Sequence, residues 1–159
     1  MSEHRANTEP ASPPAGIHLG AFAVSSDGTL SAREPRVLPA LRFAWRGRPC
    51  SAVLGRDGLE LSAEAGMVPS TAEAPSAREA AFGTINALPA ELPRGWDLHL
   101  SPDHRVRLGA RAPLEGPATA AALVTAMVRF ALALDPYLAQ LGEAVSPPAS
   151  SGNPSNCPG

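Results

Sequence analysis

WDLHLSPDHRVRLGARA, residues 96–112, is the stretch that decides the fold. Trp96, Leu98 and Leu100 alternate with Asp97 and His99, and beyond a Ser-Pro-Asp turn Val106 and Leu108 alternate with Arg105 and Arg107. A period of two places one set of side chains on a buried face and the other on an open one. Pro102 presets φ for a turn, and Asp103 can bond its own backbone. With Ser101-Pro102-Asp103 as the loop, Trp96 is expected opposite Leu108 and Leu98 opposite Val106. Asp97 then faces Arg107, and His99 faces Arg105. Apolar pairs on one side and an opposite-charge pair on the other are what cross-strand pairing favours. The stretch therefore reads as a β-hairpin on a one-sided sheet.

Two further segments repeat the pattern of an Asp-containing turn followed by alternation: SSDGTLSARE from Ser25 and GRDGLELSAEA from Gly55. Asp-Gly at 27–28 and 57–58 is a strong hairpin signal, because glycine accepts positive φ without steric cost. Ile17, Leu19, Ala21 and Ala23 alternate before the first turn, and Leu59 and Leu61 after the second. Between them Leu41, Phe43 and Trp45 alternate with Arg42, Ala44 and Arg46, and Gly47-Arg48-Pro49 is expected to turn the chain into CSAVL. This predicts six to seven strands, mostly sequential, in an antiparallel meander.

Two helices complete the pattern. The first is expected to open at Ser76-Ala77-Arg78-Glu79, a capping box, and to run to Leu88, where Pro89 stops it. Its buried stripe is Ala81, Ile85 and Leu88. The second is expected to begin at Pro117, with the stripe Ala120, Leu123, Met127, Phe130 and Leu134. Val124, Val128 and Ala131 widen that stripe, and Asp135-Pro136 reads as a break or the start of a final turn ending at Gly142. The run 117–134 approaches a membrane span in length, but half of it is Ala or Thr and it carries Arg129, so a core helix is expected. A helix this apolar needs cover on more than one side. The sheet supplies one side and a second subunit the other, which makes Val124, Val128 and Leu132 candidate partner-binding residues. The fold class is α+β: an antiparallel sheet packed against two helices, the longer one C-terminal.

The chain has 159 residues, room for one domain. Residues 1–16 and 144–159 are rich in Pro, Ser, Gly and Asn and read as disordered tails around a single domain at 17–143. The composition includes 30 Ala, 18 Pro, 13 Arg and no Lys, with 44% hydrophobic and 4% aromatic residues. That apolar content excludes a chain disordered throughout, and two cysteines exclude a disulfide scaffold. A net charge of −2 supplies no bulk field toward nucleic acid or membrane. The N-terminal stretch lacks the basic start and apolar run of a secretory leader, so a cytoplasmic location with reduced thiols is expected.

Chemistry-bearing residues are sparse. Asp97, His99, Asp103 and His104 gather around one hairpin, and Asp97/His99/His104 is the set on which a metal-binding, ligand-binding or enzymatic alternative would rest; solvent-facing polar roles are the expected ones. Cys50 reads as a small half-buried strand residue, and no phosphate-cradling glycine pattern or GxSxG serine occurs. No catalytic residue, metal or cofactor is expected. Arg105, Arg107 and Arg111 project from one strand face, expected to be a solvated face balanced by Asp97, Glu60 and Glu64 on neighbouring strands, with an anionic ligand or an acidic partner as the alternative; Arg42, Arg46 and Arg48 surround another strand. Aromatics for base stacking are absent from that face, which argues against nucleic acid.

From Trp96 to Leu141, the hairpin, the step Pro113-Leu114-Glu115-Gly116 and the helix carrying Phe130 after a Leu/Met stripe resemble the class I type III secretion chaperones and their bacterial sensory-regulator relatives. The family's opening helix is replaced here by the strand hairpin around Asp27-Gly28. The resemblance implies a cytoplasmic homodimer that binds a protein segment and has no catalytic site. Taken together, these residues predict a small non-catalytic protein-binding module: a chaperone, adaptor or regulatory subunit, dimeric, with a protein partner.

Overall fold

The alternating stretches become strands with one apolar face, and the apolar faces meet two helices. In the computed structural model residues 17–34 and 36–148 are described. Strands β1 (Ile17–Leu19), β2 (Phe22–Val24) and β3 (Leu30–Ala32) form a small antiparallel sheet. Strands β4 (Ala40–Trp45), β5 (Arg48–Leu54) and β6 (Leu59–Met67) begin a larger one. Helix α1 (Pro75–Ala87) and a 3-10 turn at Leu88–Ala90 follow, then β7 (Trp96–Leu100), β8 (Arg105–Ala112) and helix α2 (Ala120–Ala144). The larger sheet has the order β4-β5-β6-β8-β7. The antiparallel α+β class is as expected. Sequential pairing is interrupted twice: β3 and β4 lie in separate sheets rather than one meander, and β8 lies between β6 and β7 and leaves β7 on the edge.

Cross-strand rows define the two faces of that sheet. Leu41, Ala52, Leu61, Ala110 and Trp96 form one inner row, and Phe43, Cys50, Ala63, Leu108 and Leu98 the next. Between them, on the outer face, runs Arg42, Ser51, Ser62, Gly109 and Asp97. The inner rows bury Leu61, Ala63 and Leu108 against Leu88 of the 3-10 turn and Leu123, Leu134 and Leu141 of α2. Burying each Leu contributes about 1.5–3 kcal/mol relative to exposure.

The 96–112 hairpin forms with its faces as predicted but with a register two residues away. Leu100 pairs with Val106, Leu98 with Leu108 and Trp96 with Ala110, so Asp97 faces Gly109 and His99 faces Arg107. The loop is Pro102-Asp103-His104, closed by the Ser101 N–H donating to the Arg105 carbonyl at 2.9 Å. His104 takes φ 62°, the left-handed position that ends a three-residue hairpin loop. A shift of two keeps every side chain on its face.

Other turns also move. Arg46 (φ 46°) and Gly47 (φ 73°) form a two-residue type I′ turn joining Trp45 to Arg48, one residue earlier than expected. The N-terminal alternation is broken by a tight turn at Gly20-Ala21, which pairs Leu19 with Phe22 and resets the parity. Phe22, not Ala21 or Ala23, is therefore the buried residue of that segment. Asp27 closes the next turn by accepting from the Thr29 N–H at 3.0 Å and the Thr29 hydroxyl at 2.9 Å.

Helix α1 buries Ala81 and Ile85 and leads into buried Leu88, as its stripe predicts, but its start is different. Pro75 occupies the first turn and Ala74 is the cap with no side-chain bond, so Ser76 and Glu79 form no capping box. Helix α2 starts at Ala120 rather than Pro117, because the Thr119 hydroxyl caps it by accepting from the Ala122 N–H at 3.1 Å. The same end is tied to the small sheet: Leu30 N–H donates to the Ala118 carbonyl and Ala120 N–H to the Gly28 carbonyl.

Asp135-Pro136 does not break α2, which continues to Ala144. The carbonyl deprived of its partner by Pro136 belongs to Leu132, an exposed residue, so water can take the bond. The fold also extends past residue 143. Val145 is buried, Ser146 exchanges two backbone bonds with Met67, each 2.9 Å, and Pro148 is buried, so 144–148 is not part of a tail. The expected tails at 1–16 and 149–159 lie outside the described residues, as do His4 and Cys157.

Candidate functional site

Two sets of contacts fix the rotation of α2 about its axis. On one flank the Trp96 ring stacks on Phe130 with centroids 5.0 Å apart and lies 5.7 Å from Tyr137. The Tyr137 hydroxyl and the Gln140 amide both donate to Glu91, at 3.4 and 3.1 Å. On the other flank the Asp135 carboxylate accepts from Trp45 Nε1 at 2.7 Å and from Arg46 Nε and the second Arg46 nitrogen at 2.8 Å each. Arg46 and then Trp45 hold the Asp135 carboxyl below its ordinary pKa by these hydrogen bonds.

This rotation decides what faces out. Leu123, Phe130, Leu134, Leu138 and Leu141 point inward, and Ala131 is buried with them. Of the three residues expected to widen the core stripe only Ala131 does so; Val124 and Val128 face out, as does Leu132. They are 50%, 51% and 60% exposed, and their four-residue spacing puts them in one line along the outer side of the helix. Ala121 and Ala139 continue that line at either end and are also exposed. By length and composition, Ala120–Gly142 is apolar enough to cross a membrane, and 28% of its most apolar stretch is buried in the fold.

The arginine face divides once the strands are paired. Arg105 is neutralised twice, by Glu64 at 2.6 Å and Asp103 at 2.8 Å, and the Glu64 hydrogen bond foremost holds its guanidinium charged. Arg111 lies 4.0 Å from Glu60, both well exposed, which is a loose pair of little energetic weight. Arg107 faces Glu64 and His99 across the strands and makes no ion pair among the described residues. Arg42, Arg46 and Arg48 separate completely. Arg42 stands on the outer sheet face, Arg46 binds Asp135, and Arg48 lies opposite Trp45 on the inner face, with one buried nitrogen lacking a protein partner.

The Asp97/His99/His104 set does not assemble. Asp97 and His99 lie on the outer face of β7, His104 forms the loop, and its carbonyl accepts from Val68 N–H at 2.9 Å. Asp103 is engaged by Arg105. Among the described residues no three His, Cys, Asp or Glu side chains converge to hold a metal ion. Cys50 is buried, and that burial pushes its thiol up to about 11, so it stays protonated and unreactive near neutral pH.

Glu60 and Glu64, expected to balance the arginine face from a neighbouring strand, do lie beside Arg111 and Arg105; the sequence reading missed Arg46 as the partner of Asp135 and Gly109 as that of Asp97. A methyl at Gly109 would meet the Asp97 carboxylate, the free end of an exposed side chain, which would have to turn aside. No protein-family model, curated protein or solved structure matches the chain.

Proposed function

We propose that this chain is a small non-catalytic protein-binding module of the chaperone, adaptor or regulatory-subunit kind, working as a homodimer formed through α2. The observation that carries the reading is the exposed line Val124, Val128 and Leu132 on a helix whose other flanks are already fixed. The line is self-complementary. An antiparallel two-fold pairing centred on Val128 sets each Val124 against the partner's Leu132 and Val128 against its own copy. Between Ala121 and Leu132 the only charged residue is Arg129, at the border of the line, and interface cores are depleted of charge in this way. Solvent exposure of three large aliphatic side chains in one line is otherwise costly.

The resemblance of 96–141 to the class I chaperone group supports the same reading and a cytoplasmic setting. The readings that place chemistry at the hairpin have less to stand on, since Arg105 and Asp103 neutralise each other and His104 is committed to the turn. The anion-binding reading keeps only Arg107 without an ion pair among the described residues.

Cysteine cross-linking tests the arrangement. In a Cys157→Ser background, Val128→Cys should oxidise to a covalent dimer in high yield, whereas Thr84→Cys on α1 should not. Equal yields from both would reject the proposed pairing.

A further inference from the structure

The helical layer does not close over the whole inner face of the larger sheet. Beside the N-terminal half of α2, over the ends of β7 and β8, a cleft of about 610 Å³ stays open. That volume lies within the range of small-molecule sites, roughly 300–1,000 Å³. Its existence is written in the sequence as alanine on both walls: Ala110 and Ala112 from β8, Ala122, Ala126 and Ala133 from α2. Any larger residue at these places would fill it. The apolar floor is Trp96 on Phe130, and the Trp96 ring is held in place by Phe130 and Tyr137 together, so the surface is formed in advance.

At the mouth, Thr125 and Arg129 stand one helical turn apart on the cleft side of α2. Arg129 is exposed and makes no hydrogen bond or ion pair among the described residues. The rim also carries Arg111, only loosely paired with Glu60, and Glu115, whose opposite charges offset one another. The mouth therefore carries one net positive charge over an apolar slot, with Arg129 the guanidinium on the apolar wall of α2.

We propose that this cleft binds an amphipathic monocarboxylate, its apolar chain or ring lying on Trp96 and Phe130 and its carboxylate paired with Arg129. The planar guanidinium fork matches a carboxylate in two-pronged fashion, with the Thr125 hydroxyl as an added donor. A neutral apolar molecule would leave Arg129 unanswered, a cation would meet repulsion, and a dianion would exceed the single net positive charge of a rim that also holds Glu115. The cleft lies on a different flank of α2 from Val124, Val128 and Leu132, so this site does not rest on the dimer.

Calorimetric titration of the full chain with octanoate, octanol and octylamine tests it, the three probes sharing one chain and differing in charge. Octanoate should bind, with octanol and octylamine weaker by about tenfold or more, the loss expected for one charge-assisted contact. Arg129→Gln, a change at an exposed side chain, should weaken octanoate by about the same factor and leave octanol unaffected. Ala126→Leu should abolish binding of both. No heat from octanoate at millimolar concentration, or equal binding of octanoate and octanol, would overturn the proposal. So would unaltered octanoate binding in Arg129→Gln, the deciding variant should Ala126→Leu fail to fold.

Discussion

Arg46, in the turn between β4 and β5, holds Asp135 of α2 with two hydrogen bonds of 2.8 Å each across 89 positions of sequence. The pair joins the edge of the large sheet to the middle of the long helix. Trp45, the neighbour of Arg46, gives the same carboxylate a third donor at 2.7 Å. One aspartate thus sets the rotation of α2 on that side, and with it the residues that α2 turns outward.

The Asp135 contribution to stability depends on pH. The carboxyl's pKa is lowered in the folded state by Arg46 first and Trp45 second, so the stabilisation is complete above the ordinary carboxyl value near 4 and is lost as pH falls through the lowered one. Asp135→Asn should therefore lower the melting temperature by a few degrees at pH 7, and the difference should shrink as pH falls through the lowered carboxyl value. Melts of both proteins across that range check it. A difference that stays constant with pH would mean that charge has no part in the clamp.

Residues after 143 should matter to stability. Val145 is buried, and a methyl on Gly66 would meet the Ser146 carbonyl and the Val145 side chain. Val145→Ala should cost about 1.5–2.5 kcal/mol, two methyl groups plus a residual cavity, and Gly66→Ala should cost at least as much by displacing the segment. Urea unfolding curves measure both. An unchanged midpoint for Val145→Ala would show that the segment beyond α2 contributes nothing.

Pro136 should be a cost that the fold tolerates. It lies inside α2 on an exposed position, where proline forfeits one backbone hydrogen bond. Pro136→Ala should stabilise by about 1–3 kcal/mol, seen as a higher urea midpoint with the slope unchanged. Destabilisation would mean that the proline shapes the helix in a way the packing requires.

Much of the architecture is legible in the residues. The alternations at 41–45, 96–100 and 106–108 are strands, Ala81 and Ile85 form the buried face of α1 with Leu88 buried in the 3-10 turn after it, and Leu123, Phe130 and Leu134 form that of α2. What escapes is set by turn closure and by long-range pairing. His104 adopts a left-handed conformation that glycine more often supplies, which moves the hairpin register by two. Gly20-Ala21 turns the chain inside a run that reads as one strand. The sequence shows Arg105, Arg107 and Arg111 in alternation, but only the β6–β8 pairing brings Glu64 to Arg105. Asp135-Pro136 looks like a stop because the dipeptide is local, whereas the Trp45 and Arg46 contacts that engage Asp135 lie about ninety residues away.

The central claim is that Val128 lies at the two-fold axis of a homodimer. Sedimentation equilibrium of the wild-type chain and of Val128→Asp, at matched micromolar concentrations, tests it most directly. The account predicts twice the chain mass for the wild type and the single-chain mass for Val128→Asp, with both variants melting cooperatively. A wild-type chain that sediments as a monomer, or a Val128→Asp chain that remains dimeric, would contradict it.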